Sequence, residues 1–256
     1  MPVIIGTSGW QYRHWRGLFY PQELAAAHWL PYYAERFAAV EVNNTFYHLP
    51  EKSTFAGWAE RTPAGFRVAA KMSRYLTHLK RLHEPQEPAA RFLERAAGLG
   101  DKLAVVLLQL PPRMRADPGA LDETLSALQA GPPVAVEFRD DSWDTEEVHG
   151  VLERHQAAWC LADSQRRGVA FRRTAGWTYI RFHDGEGSPE GCYQPHQLKA
   201  WAGRLAETWG PRATIYAFFN NDGNGCAPRD AGVFADACRD AGLDPTRTPE
   251  AGAPLV

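Results

Sequence analysis

Eight short apolar runs recur along the chain, and their spacing limits the fold more than any other feature. They are VIIGTS (3–8), AVEVN (39–43), FRVAAK (66–71), AVVLLQL (104–110), VAVEFR (134–139), AWCLAD (158–163), WTYIRFH (177–183) and TIYAFFN (214–220). Helical signals lie between most of them, and this alternation predicts βα units around a parallel sheet. Eight parallel strands close a barrel, and 256 residues is the usual size of one. The expectation is an α/β fold, a TIM (β/α)8-type barrel in a single domain over 1–244. A tail over 245–256, rich in Pro, Ala and Gly, is expected to fray.

Helix boundaries follow from capping chemistry. Asp117 and Pro118 fit an N-cap and first position, Asp144 with Glu147 fits a capping box, and Pro88 opens another helix. Further helices are expected near 53–61, 195–209 and 228–241. The first connection carries Pro21 and Pro31, which predicts a loop and then a helix. The sixth, SQRRGVAFRRTAG (164–176), lacks an amphipathic period and is expected to cross in irregular or extended form.

Side chains alternate across a strand, so residues two apart share a face. Applied to each run, this rule turns Ser8, Glu41, Asn43, Lys71, Gln109, Glu137, Arg139, Asp163, Arg181, His183 and Asn220 inward near the C-terminal strand ends. A purely structural barrel can be plugged with apolar residues at both ends, so this polar rim marks the site. Buried charges need partners, and Glu41, Glu137 and Asp163 are expected to sit against Lys71, Arg139 and Arg181. The same pairing also suits a closed salt-bridge layer with no ligand. The loops after the first two strands place Trp10, Tyr12, Trp15, Phe19, Tyr20, Phe46 and Tyr47 beside this rim, with Trp10 or Tyr47 a candidate stacking wall. His78, in the loop after the third strand, joins Lys71 as a candidate anion clamp.

Composition narrows the partners. The formal net charge is −2, with 23% charged residues, so bulk electrostatics will not draw the chain onto nucleic acid or an anionic membrane. The N-terminus has no signal-peptide pattern and no window spans a bilayer, which predicts a cytoplasmic protein. Cys160, Cys192, Cys226 and Cys238 have no zinc or disulfide spacing and are read as reduced thiols; no cofactor and no metal ligand set is indicated.

Taken together, GTSGW with FYP, VEVNNTFYHLP, FRVAAKMSRYLTH, LLQLPP, AVEFRDDSW, YIRFHDG and YAFFNND with PRDA resemble the uncharacterised YecE-like family, domain of unknown function 72. The likeness runs from about Ile5 to Leu243 and implies a TIM barrel, with no reaction attached. It carries over Ser8, Trp10, Glu41, Asn43, Phe46, Tyr47, Lys71, His78, Gln109, Glu137, Arg139, Trp143, Asp163, Arg181, His183, Asn220 and Asp222 as signature positions. One departure is Asp184 between His183 and Gly185, where the family pattern runs from His to Gly.

Three function classes stay open at this level. The first is binding or turnover of a small anionic, phosphorylated ligand, with Lys71, Arg139 and Arg181 holding it and Glu137, Asp163 and His183 moving protons. The second is damaged or single-stranded DNA binding. The third is a divalent-metal-dependent isomerase or hydrolase, opposed by the cations mixed among the carboxylates.

Overall fold

In the computed structural model, which describes residues 2–163, 169, 171–187 and 191–251, all eight apolar runs are strands. They are β1 (Pro2–Ser8), β2 (Ala39–Val42), β3 (Arg67–Lys71), β4 (Leu103–Gln109), β5 (Val134–Glu137), β6 (Ala158–Asp163), β7 (Thr178–Phe182) and β8 (Ile215–Phe219). Every neighbouring pair is parallel, and β1 pairs with both β8 and β2, which closes the barrel.

Period-two patterning sorts the strand residues into two cores. Ile4, Ala39, Ala69, Val105, Leu107, Ala135, Ala158, Cys160, Tyr179 and Phe218 fill the interior. Val3, Ile5, Val40, Val68, Val106, Leu108, Val136, Leu161, Ile180 and Phe219 pack outward with the helices. Each such side chain contributes about 1.5–3 kcal/mol through burial. Gly6 shows how tightly the seam is drawn: a Cβ there would lie 2.3 Å from Ala39 O and 3.1 Å from the Phe218 ring.

The helices are α1 (Trp29–Arg36), α2 (Asn44–Tyr47), α3 (Lys52–Glu60), α4 (Gln86–Ala96), α5 (Pro118–Ala127), α6 (Glu146–Arg154), α7 (Pro195–Trp209) and α8 (Cys226–Asp240). In α7, Leu198, Trp201, Ala202, Leu205 and Trp209 form one buried stripe, the spacing a helix lying on a sheet requires. Asp117 caps α5 by accepting from Ala120 N at 2.9 Å. The expected box at Asp144 is displaced by one residue. Thr145 caps α6, its hydroxyl accepting from Val148 N, while Asp144 accepts from His149 and Arg172. As expected, the first connection is a loop leading into α1. In the sixth connection, 164–168 and 170 lie outside the described residues, and the remainder holds no helix.

The tail departs from the expectation of fraying over 245–251. Register explains this: β2 first meets β1 at Gly6, so the edge of β1 before it has no strand beside it. A two-residue strand, β9 (Asp244–Pro245), pairs there with Pro2 and Val3. Thr246 N then donates to Val3 O at 2.8 Å, and Thr246 Oγ1 accepts from Ile5 N at 3.1 Å. These bonds occupy backbone groups that would otherwise be left unpaired at a partly buried edge. Residues 252–256 lie outside the described residues.

Cys192 and Cys226 form a disulfide, with Cα atoms 4.9 Å apart, which corrects the expectation of four reduced thiols. Their sequence separation of 34 gives no spacing signal. The two meet because the loop after β7 and the start of α8 lie beside one another at the same barrel end. Both are 1% exposed, shielded from solvent reductants. Cys160 and Cys238 are free and buried. Among the described residues, no helix is long and apolar enough to cross a membrane.

Candidate functional site

Ten of the eleven strand-end residues expected to face inward do so, and six of them, Glu41, Asn43, Gln109, Glu137, Arg139 and Arg181, join one hydrogen-bonded layer above the interior core. Arg181, at the end of β7, lies at its centre. Its Nε and Nη2 donate to Glu41 Oε2 and Oε1 at 2.9 and 2.8 Å, and its Nη1 donates to Glu137 Oε2 at 2.7 Å. Tyr179 OH and Asn43 Nδ2 donate to Glu41 at 2.7 and 3.0 Å. Gln109 Nε2 and Arg139 Nε donate to Glu137, each at 2.9 Å. Glu41, Glu137 and Arg181 are at most 2% exposed.

Burial alone would push both carboxyls up, but the Arg181 guanidinium outweighs it and holds both below the usual carboxylate range, with Arg139 adding to the effect on Glu137. Arg181 is held charged in return, its two carboxylates overcoming its own desolvation. Both carboxylates therefore stay charged beside Arg181. Arg181, with each nitrogen bonded to a carboxylate, is the hub of the layer and not a free anion clamp.

Lys71 is built differently. It ends β3 inside the same layer, yet has no salt-bridge partner among the described residues; its Nζ lies 4.2 Å from the centre of the Phe46 ring. Burial, with Arg181 and Arg139 nearby, lowers its amine to about 8 against the weaker pull of Glu41 and Glu137. Lys71, Arg139 and Arg181 are three cations facing two carboxylates, so the layer has one positive charge more than it can pair internally. Arg139 engages Glu137 only through Nε and is 38% exposed, leaving its Nη groups without partners among the described residues.

Two neutral imidazoles stand nearby. Asn220 Nδ2 lies 2.9 Å from His183 Nδ1, which places the ring proton on Nε2. Burial and then Arg181 lower His183 to about 4. His78, in the turn after β3, stacks edge-on against Phe46 at 4.8 Å and bonds Thr77 Oγ1 at 2.9 Å. Burial, then Lys71 and Arg139, bring it to about 4 as well. Asn43 Oδ1 is buried without a hydrogen-bond partner, and Ser8 Oγ, close enough to Glu41 to help keep it charged, is outside hydrogen-bond geometry with any described group.

Asp163 is the residue that sequence register misplaced. Ala158 and Cys160 face the interior, so β6 turns Ala162 inward and Asp163 toward the helices. There its Oδ2 accepts from Trp201 Nε1 at 3.0 Å, and burial pushes its carboxyl up, with Tyr193 and Trp201 pulling the other way. In AWCLAD both parities are apolar, so period-two patterning leaves the register open and gives the polar terminal residue no fixed face. Asp163 therefore pairs with none of the rim cations.

The aromatic wall divides. Trp10 is 5% exposed and packs edge-on against Trp58 at 5.5 Å, so it supports the loop and offers no open face. Tyr47 is 75% exposed, edge-on against Phe46 at 4.9 Å. Trp143 is fully buried, its Nε1 donating to Met114 O at 2.7 Å. Asp222 is held from the first loop, its carbonyl accepting from His14 Nε2 and Trp15 Nε1 at 2.9 and 3.0 Å. Tyr179 belongs to the site through its bond to Glu41 although it is not among the expected site residues; the register that turns Arg181 inward turns it inward too. The Asp184–Gly185 departure sits where Gly185 N donates to Gly191 O at 3.1 Å; a Cβ on Gly185 would lie 2.2 Å from Cys192 O.

Among the described residues, no three His, Cys, Asp or Glu side chains gather closely enough to hold a metal ion. Arg181 stands between the two buried carboxylates, so the donor set does not fit a divalent cation.

Residues 4–253 match the family model described as "Protein of unknown function DUF72". The chain is 24% identical over 262 residues to the UPF0759 protein YunF of Bacillus subtilis, covering 88% of this chain and 90% of that one. A DUF72 family protein of Thermotoga maritima superposes with a TM-score of 0.78 at 28% identity, over 93% of this chain and all of that one. A DUF72 family protein of Enterococcus faecalis gives 0.72 at 18% identity, over 93% of this chain and 98% of that one, a likeness of fold.

Proposed function

For a chain that belongs to the DUF72 family, whose function is unknown, we propose that the rim of the barrel binds a small anionic, phosphorylated ligand. The observation that carries this reading is the unpaired Lys71 in a layer with one surplus positive charge. Desolvating a cation without a partner costs several kcal/mol, and a fold keeps such a group where a ligand supplies the missing charge. The remaining donors suit a phosphate: the free Nη groups of Arg139, Lys71 Nζ and His183 Nε2. Arg181, Glu41 and Glu137 form the fixed floor beneath them.

Calorimetric titration with inorganic phosphate and with sulfate at pH 7 tests the reading. Saturable binding that disappears in Lys71→Met is the expected result. No heat of binding to the wild type at millimolar anion overturns it. The exposed Tyr47, together with the exposed Arg74 and Arg81 that act on His78, favours single-stranded DNA as a second reading; absence of a gel shift at low salt removes it.

A further inference from the structure

Resting on the anion-binding reading, we propose that Lys71 is a covalent group, whose Nζ condenses with a small anionic carbonyl compound to form an imine at the mouth of the barrel. A lysine serving only as a counter-charge is best kept as ammonium by a carboxylate. Here both carboxylates of the layer are taken. Glu41 accepts from Arg181, Tyr179 and Asn43, and Glu137 from Arg181, Arg139 and Gln109. Lys71 is left 8% exposed, with an aromatic ring against its nitrogen and two guanidiniums close by. Burial and the two guanidiniums favour the free amine, outweighing the Phe46 ring face, which attracts the ammonium. With an amine of about 8, on the order of a tenth of Lys71 is unprotonated at pH 7, against a few parts in ten thousand for an ordinary lysine. A desolvated lysine next to other cations is how an amine is activated for attack on carbonyl carbon.

The step balances without any further reagent. The Nζ lone pair attacks the carbonyl carbon, and the carbonyl oxygen takes up a proton as nitrogen loses one. The resulting carbinolamine expels that oxygen as water while nitrogen forms the C=N bond. Protonation of the imine restores one positive charge at Lys71, so the charge surplus that attracts the anionic part of the ligand is preserved. Arg139, near enough to act on the Lys71 amine and with Nη groups that have no partner among the described residues, would hold that anion.

The test treats the full chain at pH 7.5 with pyruvate and, separately, with glycolaldehyde phosphate, each with sodium cyanoborohydride. Adducts are then located by peptide mass mapping, with Lys52, Lys80, Lys102 and Lys199 as internal controls. The expected result is one adduct per chain on Lys71, at least tenfold above any control lysine. Lys71→Arg, which lacks the nucleophilic amine, should lose the adduct while the control lysines label as they do in the wild type. Phosphate binding by the wild type without selective labelling of Lys71 overturns the imine and leaves the anion site standing. Selective labelling without phosphate binding also overturns the proposal in this form, because the anion site is its premise. Absence of both overturns both readings.

Discussion

Arg181 and Glu41 face each other across the barrel interior, joined by two parallel hydrogen bonds of 2.9 and 2.8 Å, although their strands are separated by β8 and β1. A bidentate guanidinium–carboxylate pair fixes orientation as well as charge. With Glu137 on the remaining side of the guanidinium, three residues from three strands become one rigid plate on which the rest of the rim stands.

Removing one carboxylate from that plate should be costly. Glu41→Gln leaves Arg181 buried and half-neutralised, and broken buried pairs cost about 3–5 kcal/mol. Urea unfolding of the two proteins at pH 7 measures this directly. A difference below about 1 kcal/mol would mean that the plate contributes little to holding the barrel closed.

Acid should weaken the fold through the same residues. Both carboxyls sit lower in the folded chain than in the unfolded one, so between those values the unfolded state binds more protons. Their stabilisation is then complete above the unfolded carboxylate value of about 4.3 and is lost as pH falls toward the folded values. Denaturation followed from pH 7 to pH 2.5 should show a steep loss in wild type and a shallower one in Glu137→Gln. Equal slopes would remove Glu137 from the account.

Lys71 should trade stability for binding. Its amine is lowered to about 8, burial being the main cause, so carrying the charge at pH 7 is a strain on the fold. Lys71→Met keeps the length of the side chain and removes the charge, and is expected to raise stability by about 1–3 kcal/mol. Phosphate affinity of the wild type should fall as pH rises through 8 and the ammonium is lost. A flat affinity between pH 7 and 9 would place the binding charge elsewhere.

The Cys192–Cys226 bond should appear as a mass 2 Da below that of the reduced chain, a figure of about two hydrogens set by thiol oxidation. Closing a loop of 34 residues stabilises by about 3–4 kcal/mol in the chain-entropy description. Cys226→Ser should therefore melt lower, and reductant should lower the wild type to meet it once the bond opens. A chain with four titratable thiols after denaturation without reductant would show that the bond does not form.

Strand number, order and closure were legible in the residues, because apolar runs of strand length separated by capped helices admit few arrangements. Alternation within VAVEFR and WTYIRFH turned Glu137, Arg139, Arg181 and His183 inward correctly, since in each run one face is markedly more apolar. The same rule failed at Asp163, where AWCLAD offers apolar residues on both faces and the register is set by pairing with β7. Which acid meets which base was beyond the sequence as well. Long side chains from β2, β5 and β7 converge only after the barrel closes, and that convergence leaves Lys71 as the odd cation.

Local pattern thus determined the elements of this protein, because backbone periodicity and capping are decided within a few residues. Tertiary structure alone decided the ion pairs, the disulfide and the docking of residues 244–251. Each of these joins groups tens to hundreds of residues apart, and their energies depend on distance and desolvation that exist only in the closed barrel.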